Sequence, residues 1–128
     1  MRIFSLVAVA ALTISLGSCA ALHTLSSTEV PYSAILVAAN GVDAAETTAK
    51  NYIIACTPNP APKGCDDALI KNKIVPDVKA VRTARDAALK FVKDNPNATF
   101  GPETLTSAIS TAVATLQAVL SQNNIPSN

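Results

Sequence analysis

The chain has 128 residues, a net charge of +1, and 15% charged against 49% hydrophobic residues. That length suits one modest domain, and a charge so close to zero gives no global attraction for nucleic acid or for an acidic substrate. Aromatic residues make up 4% of the chain and Trp is absent while Ala is abundant, which suits closely spaced helices with a thin core and argues against a large pocketed enzyme.

Residues 1–18 begin Met1-Arg2 and continue as an apolar run from Ile3 to Leu16, with no Asp or Glu before Glu29. The run is shorter than the roughly 20 apolar residues of a membrane-spanning helix. The Ser, His and Thr residues that follow are not a stop-transfer pattern. A short positive segment, an apolar segment and small residues beyond it predict a cleaved export signal. Two cleavages compete. Ser18-Cys19-Ala20 has the small residues an ordinary signal peptidase needs to cut after Ala20.

Leu16-Gly17-Ser18-Cys19, an aliphatic residue and two small ones before a cysteine, resembles the lipobox of bacterial lipoproteins. The resemblance implies cleavage before Cys19, lipidation of Cys19 with more than one acyl chain, and stable membrane anchoring. Ala20 in place of Asp after the cysteine resembles the sorting pattern for the outer membrane in enterobacteria-like organisms. Residues 1–20 carry the whole resemblance, which says nothing of the rest of the chain. The cysteine count agrees with it. An exported chain with three cysteines leaves one thiol over, and pairing Cys56 with Cys65 while Cys19 carries lipid leaves none.

Residues 19–31 then form the lipidated cysteine and a tether, residues 32–124 a helical domain, and residues 125–128 a tail. Ile35, Ala38, Val42, Ala45, Ala49, Tyr52 and Cys56 recur at steps of three and four, which predicts one helix ending at Cys56 with an alanine-rich seam. Gly41 is a blemish inside it, costing about 1 kcal/mol relative to Ala at an exposed site. The stretch CTPNPAPKGC, with Pro58, Pro60, Pro62 and Gly64, cannot continue a helix. Asp66 and Asp67 just after it suit the start of the next one by capping and dipole. A Cys56–Cys65 bridge would staple this helical hairpin at its turn. The rival reading, a metal site, lacks a CxxC spacing and a nearby His.

The second predicted helix runs from about Asp66 to Asp94 with its apolar face at Ile70, Ile74, Val78, Val81, Ala84, Ala88 and Phe91. Pro76 predicts a kink or a break near Ile74–Pro76. Asp94-Asn95-Pro96-Asn97 stops it. Pro102 and Glu103 then open a third helix with Leu105, Ile109, Ala112, Leu116 and Val119 on its apolar face, fraying at Ser121–Asn124. Its other side, Thr106, Ser107, Ser110, Thr111, Thr115 and Gln117, has too many hydroxyls for a bilayer span and is either solvated or packed against another surface. The expected fold is all-α: a small antiparallel three-helix bundle, its second helix kinked or broken at Pro76, closed by one intramolecular disulfide.

Seven of the nine positive charges left after the export signal lie on the second helix. Lys79, Arg82, Lys90 and Lys93 fall on one side of it with Asp86. They are candidates for contact with a polyanion or lipid headgroups; the alternative is a solvated face with its own ion pairs, including Asp86 with Lys90. No aromatic residues interleave them, which argues against single-stranded nucleic acid. His23 is the only histidine and lies in the tether, poorly placed for a catalytic triad. Glu46 and Asp77 have no identifiable partners, and Asp66-Asp67 are explained by capping. No catalytic residue, metal or cofactor is assigned. The expectation is a non-enzymatic lipoprotein of the bacterial cell envelope, held on the outer membrane through Cys19 and facing the periplasm. Its partner would be an envelope protein or a second copy, not a nucleic acid. The alternative is a secreted or periplasmic helical module that binds a small apolar ligand or a partner protein.

Overall fold

A computed structural model describes residues 29–126. The expected export signal, the lipobox-like stretch ending at Cys19, His23 and the expected tether up to residue 28 lie outside the described residues. Strand β1 (Glu29–Pro31) leads into helices α1 (Tyr32–Asn40) and α2 (Asp43–Ala55); a helical turn α3 (Asp67–Leu69) passes through a π-helical segment (Ile70–Ile74) into α4 (Val75–Asp94); strand β2 (Phe100–Pro102) precedes α5 (Glu103–Gln122).

The single helix expected up to Cys56 is two helices. Gly41 and Val42 keep nearly helical dihedrals at the joint, and the Gly41 N–H is shared between the carbonyls of Val37 and Ala38 at 2.9 and 3.2 Å. Shared bonds of this kind mark a helix terminus. Fully buried Val42 pins the joint to the core, and Ala39, not Ala38, is the more buried residue of α1. Low helix propensity at Gly41 thus weakens the ladder where packing at Val42 bends it.

Cys56 and Cys65 are joined as a disulfide, with Cα atoms 5.5 Å apart. The hydroxyl of Tyr52 spans the same turn: it donates to the Gly64 carbonyl at 3.0 Å and accepts from the Asp66 N–H at 3.2 Å. Asp66 caps the following helix, its carboxylate accepting from the Leu69 N–H at 3.0 Å.

Pro76 neither separates two helices nor interrupts the helical path. In α-helical register the Asn72 carbonyl would look to residue 76 for its donor, and proline has no N–H. The chain shifts register instead. Within Ile70–Ile74 it winds as a π-helix, the Val75 N–H bonding the Ile70 carbonyl, and this leaves Pro76 in the first turn of α4. There its fixed φ is compatible with the helix.

The all-α expectation also needs correction, because the fold is mainly helical with a two-stranded antiparallel ribbon. Glu29, Val30 and Pro31 pair with Pro102, Gly101 and Phe100, so the last residues assigned to the tether belong to the folded domain. Tyr32 fastens the ribbon, its N–H bonding the Thr99 carbonyl and its hydroxyl the Val92 carbonyl. At the far end, α5 closes with Asn124 at a φ of 54°. The Ile125 N–H bonds the Leu120 carbonyl and the Asn124 N–H that of Ser121. This is a Schellman motif, and it turns Ile125, expected in the tail, onto the core, where it is 9% exposed. The core itself is narrow: Ile35, Val42, Ile74, Val81 and Leu116 fill it, and Ala39, Ala45, Ala49 and Ala88 let the helices approach.

Candidate interaction surface

The side chains proposed from sequence on α4 do not form an uninterrupted cationic stripe. Arg82 reaches across to α2, its Nε 3.2 Å from Glu46 Oε2, and Arg85 Nη1 lies 3.4 Å from Glu46 Oε1. Glu46 is therefore the inter-helix acceptor, a role not visible from its own sequence neighbourhood. Lys90 pairs with Asp94, not with Asp86, which instead meets Arg85. Lys79 and Lys93 make no ion pair among the described residues. The face thus alternates in sign, and its exposed pairs are worth roughly 0–1 kcal/mol each.

Two open grooves flank α4. The larger, about 880 Å³, runs between α4 and α5 and is lined by small side chains, among them Ala80, Ala84, Ala87, Ser107, Ala108 and Thr111. Thr106, Ser107, Ser110, Thr115 and Ser121 of α5 donate their hydroxyl hydrogens to backbone carbonyls three or four residues back. This spends their donors within the helix. α5 is long and apolar enough to cross a membrane by length and composition alone, and 17% of its most apolar window is buried in the fold. Asp77 lines one end of this groove and its Oδ2 is buried with no hydrogen-bond partner among the described residues.

The second groove, about 320 Å³, separates α2 from α4 and is lined by Glu46, Lys50, Ile53 and Ile54 on one side and Val75, Val78, Lys79 and Arg82 on the other. Lys50, Ile54 and Val75 were not singled out from sequence. The signal was present as i, i+4 spacing, Glu46-Lys50-Ile54 on α2 and Val75-Lys79 on α4; what sequence lacked was the register that sets the two helices side by side. No cluster of three or more His, Cys, Asp or Glu side chains suited to a metal ion occurs among the described residues.

None of the protein-family models, curated proteins or solved structures compared with the chain matches it.

Proposed function

We propose that the chain is a non-enzymatic lipoprotein of the bacterial cell envelope, anchored by acylated Cys19 and serving a structural or protein-interaction role. The observation that carries this reading is the cysteine pairing. Cys56 and Cys65 are bonded to each other, so of the three cysteines in the sequence Cys19 is the one with no cysteine of the same chain left to pair with. That cysteine ends the four-residue pattern resembling a lipobox. A disulfide also accords with an oxidising compartment such as the periplasm.

The domain's polarity supports the same reading. β1 enters at the end of the molecule that holds the Phe100–Pro102 strand, while the disulfide turn lies at the opposite end of α2. An anchor at Cys19 would tether the ribbon end within at most about 35 Å of chain, and the disulfide end would face away from it. Outer-membrane placement facing the periplasm follows from Ala20 and is part of the proposal. Labelling cells with a palmitate analogue tests it: the wild-type chain takes up label, and Cys19→Ser, with Cys56 and Cys65 intact, takes up none. Label retained in Cys19→Ser, or absent from the wild type, sinks the anchor.

A second reading, an exported helical module without an anchor that binds a partner or a small apolar ligand, is favoured by the open α4–α5 groove. A mature chain starting at Ala21 with no lipid would select it.

A further inference from the structure

The groove between α2 and α4 has a chemical direction. α2 and the helix containing α4 are joined through the Cys56–Cys65 turn as an antiparallel hairpin, and the Arg82–Glu46 contact marks their register. From that contact toward the disulfide, α2 presents Lys50 and then Ile53 and Ile54, while α4 presents Lys79 and Val78 and then Val75. Each helix changes from cation to aliphatic within about one turn, roughly 6 Å. Because the helices are antiparallel, the two changes point the same way. The groove is cationic at mid-helix and aliphatic at the disulfide end.

Neither half is covered by another part of the described chain. Ile54 and Val75 are 57% and 47% exposed, although they line one groove together. Single exposed aliphatics are ordinary; two lining one concavity are not solvated surface of the usual kind. At the other half, Glu46 is 13% exposed and both its oxygens are already taken by Arg82 and Arg85. Neither Lys50 nor Lys79 has a carboxylate within ion-pair distance among the described residues. A ligand that answers both halves has an anionic head and a linear apolar tail.

We propose that this groove binds a single-chain anionic amphiphile, with its carboxylate or other monoanionic head between Lys50 and Lys79 and its alkyl tail over Ile53, Ile54, Val75 and Val78. The volume of about 320 Å³ is at the lower end of small-molecule sites, roughly 300–1,000 Å³, and suits a medium-length chain. The site lies wholly within the folded domain and stands whether or not Cys19 carries lipid.

The test is calorimetric titration of the full-length mature chain carrying Cys19→Ser, in detergent-free buffer, so that anchoring and ligand binding are judged separately. The probes are decanoate, decyltrimethylammonium and decanol. Decanoate binds at one site per chain, and the cationic probe of equal tail length and the neutral one bind at least tenfold more weakly. Lys79→Glu lowers decanoate affinity at least tenfold, Val75→Ser lowers it severalfold, and Lys93→Glu, on the same helix outside the groove, leaves it unchanged. All three positions are exposed, and circular dichroism checks that each variant is folded. Equal binding of the three probes, an unchanged affinity in Lys79→Glu, or no saturable decanoate binding overturns the proposal. So does binding to phosphatidylglycerol vesicles without binding to monomeric decanoate, which would make the groove a membrane contact instead.

Discussion

Gly101 shows how tightly a single position can be constrained in this small fold. It pairs with Val30 in the ribbon and sits beneath Ile35 and Phe91; a Cβ built there would lie 2.5 Å from Ile35 Cδ1 and 2.5 Å from Phe91 Cε1. The ribbon backbone passes so close to the core that only hydrogen fits. Gly101→Ala must push both side chains aside and is expected to destabilise the domain by about 1–3 kcal/mol, the usual cost of overpacking, read as a lowered urea midpoint with an unchanged slope. The importance of this glycine was not legible in the sequence, where it stands in TFGPE as one more helix-opening residue. What makes it matter is contact with a residue 66 positions earlier. Glu46 was hidden for the same reason, since its two arginines lie 36 and 39 residues away. By contrast Asp66, whose capping partner is three residues on, was readable directly.

Among the elements, the helices were legible wherever an apolar repeat ran long enough to be counted. Ile74 in the π-helical segment, Val81 and Ala88 on α4, and Ile109 and Leu116 on α5 are buried as their spacing requires. The ribbon was not, because Glu-Val-Pro and Phe-Gly-Pro are each too short to display a two-residue period and derive their pairing from each other. Pro76 signalled a disturbance of the helix, and the form it took, a π segment just upstream, depended on whether the chain could shift register without exposing Ile74, which stays fully buried. The disulfide turn makes a contribution to stability that can be sized. Closing a loop of this length contributes roughly 3 kcal/mol in the chain-entropy model, a large share of the about 5–15 kcal/mol that holds a domain together. Replacing Cys56 and Cys65 together by Ala is expected to remove stability of that order in chemical denaturation. A loss below about 0.5 kcal/mol would mean that the Tyr52 hydroxyl and the Asp66 cap hold the turn without the bridge.

At the scale of the whole molecule, the two ends differ in what they offer. The ribbon end receives the chain from the direction of Cys19, with Phe100 53% exposed beside it. The opposite end carries the disulfide turn and the aliphatic half of the α2–α4 groove. An anchored protein built this way would keep its attachment and its recognition surface apart, so that one does not occlude the other. The sequence pattern around Cys19 supplies the anchoring half of that account, and the bonded pair Cys56–Cys65 supplies the reason Cys19 is the cysteine left over. Intact-mass spectrometry of the chain purified from membranes tests the two halves together. The account predicts a polypeptide beginning at Cys19, heavier than its sequence by a multi-acyl lipid, and two hydrogens lighter than the reduced chain through the Cys56–Cys65 bond. An unmodified polypeptide beginning at Ala21 would contradict it.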